Sequence, residues 1–167
     1  MKHFKILLLI AILGIASVSY AQKIAHIDTD KLLAEMPETK SLKAELERLN
    51  KTYKDDIDAM VTKLEAKIKK YEAEGKTQTL EENQKRSAEV QQDRNRVYQA
   101  QQSASQEMQK KYQSKLGPIL KKAEDAIKAV AAEKGVVYVL DASPGKGLLV
   151  FDKGEDLYSA VKTKLGF

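Results

Sequence analysis

The chain has no cysteine, three prolines, eight glycines and two histidines in 167 residues. Without cysteine, disulfide staples and a lipid-modified thiol are both excluded. One histidine, His3, sits in the first few residues. Past them, His26 alone is left to build a nucleophile–base pair or a metal site, too little for either. The longest apolar run, Ile6 to Val18, is thirteen residues, short of the roughly 20 that span a bilayer. Gly145-Lys146-Gly147 lacks the second upstream glycine of a phosphate loop, and a glycine stands where that motif needs Ser or Thr. The residues therefore point to no enzyme, no cofactor and no metal centre.

What is present begins with "MKHFKILLLIAILGIASVSYAQ". Lys2 and Lys5, the apolar run and Ser19-Tyr20-Ala21 read as an export signal over 1–21, cleaved after Ala21 so that the mature chain starts at Gln22. Its loss removes two lysines, taking the formal net charge from +5 to +3. That balance is too mild for a nucleic-acid surface, which needs a concentrated basic face.

From Pro37 to Leu116 the only glycine is Gly75. Pro37 suits a first helical turn. Leu42, Leu46, Leu49, Tyr53, Ile57, Met60, Leu64, Ile68 and Tyr71 then recur at a mean spacing near 3.6, an apolar helical stripe about 50 Å long. Lys67, Lys69 and Lys70 fall in the last turn. Gly75 is expected to close it in the left-handed region, and Thr79 with Glu82 to open the next helix as a reciprocal capping box. Residues 37–116 thus read as an antiparallel helical hairpin with its turn at about 75–79.

If the turn centres on Thr77, facing residues have numbers summing to about 154. That rule sets Leu64 against Val90, Ile57 against Val97, Leu46 against Met108 and Leu42 against Tyr112. Near the tip it pairs Met60 with Arg94 and Tyr71 with Asn83, which have little to bury, so the hairpin is expected to be fastened at its base and loose at its tip. Asp55, Asp56 and Asp58 read as solvated helix surface.

The flanking segments, 22–36 and 117–167, have another composition. Ile24 to Asp28 reads as a strand, and Asp28 or Thr29 as the cap of a helical turn carrying Leu32 and Leu33. Gly117-Pro118 is expected to break the long helix. A new helix then runs to Lys134 with Ile119, Ala123, Ala126, Ile127 and Val130 on one side, closed by Gly135. Residues 136–141 and 148–151 read as strands joined by a turn, and 155–167 as a final helix with Leu157, Val161 and Leu165. The fold class is α+β, a small β-rich body bearing a long helical arm. A body of 66 residues seldom stabilises itself by more than about 3–5 kcal/mol without staples. It is therefore expected to oligomerise through its strands, with Ile24, Ile27, Val137, Val139, Leu149 and Phe151 as the body residues.

An export signal, "IAHIDTDKLLAEMPE", a charged helical hairpin, and "VVYVLDAS" followed by a second strand and a last helix together resemble the Skp/OmpH family of periplasmic chaperones. The resemblance implies a homotrimer in the periplasm whose arms surround a cavity and hold unfolded outer-membrane β-barrel proteins without ATP. It implies client contacts on arm residues outside the seam: Val61, Ala66, Ala73, Ala88 and Ala100. Lys63, Lys85, Arg86 and Arg96 would add attraction for acidic segments or anionic lipid headgroups, and the resemblance implies lipopolysaccharide as a partner without placing it on particular residues. A different class of function, a structural coiled-coil spacer or adaptor of the cell envelope, would dock its arms to a folded partner. The tip, with Leu80 as its one large apolar residue, offers such a partner little.

Overall fold

The computed structural model describes residues 22–146 and 153–167. The export segment 1–21 and the expected strand at 148–151, with Leu149 and Phe151, were sequence expectations that lie outside the described residues. The elements in chain order are β1 (Ile24–Ile27), α1 (Thr29–Glu35), α2 (Pro37–Glu74), a 3-10 turn (Gly75–Thr77), α3 (Leu80–Glu133), β2 (Tyr138–Asp141), β3 (Glu155–Asp156) and α4 (Tyr158–Leu165).

The body is built on a sheet in which β1 is central and both neighbours run parallel to it, in the order β2-β1-β3. Side chains alternate across a strand, and registered partners share a face. Ala25 and Ile27, each 1% exposed, face inward with Val139 onto α1, the last third of α3 and α4. Leu32, Met36, Ile119, Val130, Leu157 and Val161 complete that core. The opposite face carries Ile24 and its partner Tyr138, 48% and 55% exposed. β3 was not expected: Glu155 and Asp156 are poor strand formers, and they pair because Leu157 is fully buried beside them and donates its N–H to the His26 carbonyl at 2.9 Å.

Local signals explain most element ends. The Asp28 carboxylate caps α1 by accepting from Lys31 N–H at 2.8 Å. Met36 is extended, as a residue before proline must be, and Pro37 starts α2 at its first position. Gly135 (φ 65) ends α3 and Gly166 (φ 86) ends α4 in the left-handed region that favours glycine.

Three local expectations are overturned. Gly75 is right-handed (φ −56), because α2 tightens into a 3-10 turn there and needs no left-handed residue. The capping box is half-formed: Thr79 Oγ1 accepts from Glu82 N–H at 3.2 Å, but Glu82 Oε1 is taken by Arg86 Nε at 3.2 Å. Gly117-Pro118 does not break the helix, since α3 runs unbroken for 54 residues. Pro118 forfeits one backbone bond, to the Ser114 carbonyl, but both residues are exposed and water can satisfy that oxygen. Burial of Ile119, Ala123, Ala126 and Val130 in the body holds the helix on either side of the defect.

The hairpin register also differs from the expected one, each residue facing a partner six positions further along the chain, about 9 Å. The residue numbers of five contacting pairs, Glu38–Lys122, Tyr53–Glu107, Lys67–Asp93, Tyr71–Glu89 and Glu74–Arg86, each sum to 160. Leu64 accordingly shares a groove with Val97 instead of Val90, Val90 with Ile68, Ile57 with Ala104, and Tyr53 with Met108. The expectation centred the turn on Thr77, whereas a sum of 160 centres the crossover on position 80, just past the Thr79 cap. One expected seam residue, Tyr112, is 48% exposed.

Candidate functional site

The arm has no buried core of its own. Along the seam only Leu42, at the base, is buried, while Leu46, Ile57, Leu64, Val90, Val97 and Met108 are half-buried, because two helices cover each other on one side only. Polar pairs supply the rest. Tyr71 Oη donates to Glu89 at 2.7 Å, and Lys67 and Tyr53 reach Asp93 and Glu107. These carboxylates raise the pKa of the groups they accept from, Tyr71, Lys67 and Tyr53.

The tip is tied where it was expected to be loose. Arg86 is 14% exposed, contacts Glu74 at 3.0 Å and Glu82 at 3.2 Å, and lies over the Tyr71 ring at 4.7 Å. Asn83 Nδ2 donates to the Gly75 carbonyl at 2.9 Å, bridging the turn. Polar contacts do there what the sparse apolar residues could not.

The expected client-contact residues are not brought together. Lys63, Ala66, Ala73, Lys85, Ala88 and Arg96 are exposed at scattered angles around the two helices, and Val61 and Ala100 are half-buried. Arg86 is absorbed by the tip, and Arg96 Nη1 contacts Asp93 at 3.1 Å. Of the expected body residues, Ile24 and Val137 are exposed, Val139 packs on the core, and Ile27 lies inside the protomer, where no partner can reach it.

Shallow grooves flank the hairpin. One of about 520 Å³ near the tip is lined by Ile68, Tyr71, Ser87, Val90, Gln91 and Arg94 among others. A second of about 470 Å³ lies at mid-arm, with Ile57, Asp58, Gln101, Ala104, Ser105 and Met108. A third, about 290 Å³, holds Met60, Lys63, Lys67, Asp93, Arg96 and Val97. The body has a larger, apolar groove of about 800 Å³ whose lining includes Leu33, Leu120, Ile127, Val136 and Val137. Sequence reasoning missed Tyr98, which is 61% exposed on the arm. Its signal was its distance of 18 residues, five helical turns, from Leu80, which is 76% exposed.

Beside the body groove a polar cluster locks β1 to β2. Ser143 Oγ, on a buried residue, donates to Asp141 at 2.6 Å, Thr29 Oγ1 donates to Asp141 at 2.7 Å, and Lys146 contacts Asp141 at 2.5 Å. Burial pushes the Asp141 carboxyl up, but the hydrogen bonds from Lys146, Ser143 and Thr29 outweigh it and hold the group well below the usual carboxylate range. At the opposite edge of the sheet Lys134 and Lys23 bring Glu155 down to about 2. Both clusters are structural. Among the described residues no three acidic or histidine side chains converge as metal ligands, and no helix is long and apolar enough to cross a membrane.

Comparison with known proteins follows the same architecture. The family model described as outer membrane protein (OmpH-like) matches residues 23–165. The chain is 27% identical over 128 residues to chaperone protein Skp of Pectobacterium atrosepticum, covering 77% of this chain and 78% of that one. It is 28% identical over 134 residues to chaperone protein Skp of Photorhabdus luminescens, covering 80% and 81%. A crystal structure of an OmpH-like chain from Caulobacter crescentus superposes with a TM-score of 0.77 at 16% identity, over 86% of this chain and 83% of that one, and so shares the fold. With a family model spanning nearly the whole described chain, this protein belongs to the OmpH-like outer membrane protein family.

Proposed function

We propose that the protein is a periplasmic holdase chaperone that shelters unfolded outer-membrane β-barrel proteins without ATP. The observation that carries this reading is an arm formed by the 38-residue α2 and the stretch of the 54-residue α3 that precedes the body, whose apolar residues beyond Leu42 stay half-exposed beside shallow grooves. Such a surface cannot grip one folded shape, but it can make many weak contacts with a chain that has none. Unfolded barrel strands expose alternating apolar residues and unpaired edges that otherwise aggregate. Release needs no nucleotide when folding in the membrane is more favourable than the sum of those contacts. The relatives named chaperone protein Skp support this reading over a structural spacer.

The working unit in this reading is a homotrimer joined through the body. Its support is the bare outer face of the sheet, where Ile24 and Tyr138 are about half-exposed on strands of four residues that are too short to stand alone. Export rests on the leader-like segment 1–21. Lys63 and Lys85 remain exposed cations for anionic lipid headgroups, Arg86 being engaged at the tip.

The test is light scattering after a urea-unfolded outer-membrane β-barrel protein is diluted into nucleotide-free buffer with and without the mature protein. Suppression at a few subunits per client is the expected result. Full aggregation at every ratio would overturn the reading.

A further inference from the structure

The hairpin has two unlike flanks. On α3, Ser87, Gln91 and Arg94 line the groove near the tip, and Gln101, Ser105 and Met108 line the mid-arm groove. These positions continue one another at steps of three, four and seven, so both grooves open on the same side. Tyr98 lies four residues after Arg94 and three before Gln101, between the grooves on that side. Leu80 stands seven residues before Ser87 and Tyr112 seven after Ser105, which puts them on the same stripe. The arm's three exposed large apolar side chains, Leu80, Tyr98 and Tyr112, thus share one flank. On α2, Val61 falls on it too, four residues from Ile57 and seven from Ile68. The smallest groove opens on the other flank, among Lys63, Lys67, Asp93 and Arg96, where Asp93 is ion-paired to both Lys67 and Arg96.

A second feature coincides with the first. From Val97 to Gln106 the chain carries no charge, ten residues of Val, Tyr, Gln, Ala and Ser in a protein that is 32% charged. This band begins at Tyr98's turn and takes in Gln101, Ala104 and Ser105 of the mid-arm groove. Charges near this flank are Arg94 on α3 and Glu47, Lys54, Asp58, Glu65 and Glu72 on α2.

We propose that the flank bearing Leu80, Tyr98 and Tyr112 is the client-facing side of the arm, and that its ligand is an uncharged, aromatic-rich transmembrane strand of an unfolded barrel. This rests on the holdase reading above. Those strands alternate apolar with polar residues and carry aromatic girdles at their ends. An uncharged Tyr and Gln surface suits them, because tyrosine stacks on aromatic rings and glutamine amides bond unpaired backbone groups, without the desolvation cost of a charge. The ion-paired flank lacks that chemistry and faces away. Val61 stays among the contacts, while Lys63, Arg96 and Ala100, expected from the sequence to join it, lie on the other side.

The test uses the full mature protein in complex with a urea-unfolded outer-membrane barrel protein. A photo-crosslinking residue, p-benzoylphenylalanine, replaces Val61, Tyr98 or Ser105 on one flank and Lys63, Arg96 or Ala100 on the other, and each variant is first checked for suppression of client aggregation. Variants that suppress and crosslink client at least fivefold more from 61, 98 and 105 support the proposal. Equal yields from the two flanks, or higher yields from 63 and 96, overturn it while leaving the holdase reading intact. Loss of suppression by the unsubstituted protein overturns both. Independently, Tyr98→Ser with Tyr112→Ser should weaken client binding on the order of tenfold. Its melting temperature should not change, since both side chains are exposed, and unchanged affinity counts against the proposal.

Discussion

A cysteine pair placed by the observed register, Leu64→Cys with Val97→Cys, should close a disulfide within one chain, whereas Leu64→Cys with Val90→Cys should not. With packed helix axes about 8–10 Å apart and Cα atoms about 2.3 Å from each axis, residues pointing straight across a seam lie about 3.5–5.5 Å apart. In a register where facing numbers sum to 160, Val97 is one residue from level with Leu64, about 1.5 Å along the axis, which keeps the Cα separation near 4–6 Å. Val90 is six residues from level, about 9 Å along the axis, and the separation rises to about 10 Å. A disulfide needs roughly 4.4–6.8 Å, so the pairs fall on opposite sides of the limit. The native chain has no cysteine, so any bridge comes from the introduced pair. After mild oxidation at low protein concentration, the 64–97 variant should run faster on a non-reducing gel and return on reduction. If 64–90 closes as readily, the register described here is wrong.

Three further outcomes follow from the body and its junction with the arm. Pro118→Ala returns an N–H to the Ser114 carbonyl and should stabilise the protein by about 1–3 kcal/mol, read as a raised melting temperature; no change would mean that the helix is already distorted there. Asp141→Asn removes the carboxylate that Thr29, Ser143 and Lys146 donate to, and should cost about 1–3 kcal/mol at pH 7 in denaturant melts. The folded-state pKa of Asp141 is lowered, so that contribution is fully present above its unfolded value of about 3.9 and is lost only as pH falls below it; the wild-type advantage should stay flat from pH 7 to about 4 and then shrink. Ile24→Glu with Tyr138→Glu places charge on the bare sheet face outside the protomer core, and sedimentation should show dissociation to a smaller species; an unchanged assembly would move the interface elsewhere.

What could be read from the sequence was set by periodicity and caps, which are local. The α2 stripe, the Asp28 and Thr79 caps, the start at Pro37 and the stop at Gly135 all appear where residue order puts them. The failures were cases in which distant packing outweighed a local preference. Pro118 favours a break, but four buried residues beyond it belong to the same core as Leu42, and a continuous helix buries them together. Glu155 and Asp156 oppose strand formation, but Leu157 draws them to the edge of β1. The register failed because local sequence does not choose between a turn centred on Thr77 and one centred just past the Thr79 cap, and polar contacts along the whole arm decide between them. The client-contact residues were chosen one by one for character, whereas a surface is defined by shared angle around a helix.

Continuity of α3 bears on how the arm works. A single helix carries Leu80 at the tip, Tyr98 and Tyr112 along the arm, and Val130 in the body core, so arm and body are joined by helix backbone instead of a linker. The direction of the arm is then set by how Ile119, Ala123, Ala126 and Val130 pack on the sheet, and association of bodies would fix the angles among arms. Along the arm part of that helix the exposed large apolar residues, Leu80, Tyr98 and Tyr112, are 18 and 14 residues apart, about 27 Å and 21 Å. Had they been contiguous, they would have formed a sticky patch that pairs arms with each other. Spaced as they are, each can hold only a few residues of a client, and release of one contact leaves the next in place. Strength comes from the number of contacts, which lets an unfolded chain stay bound while every segment of it keeps moving.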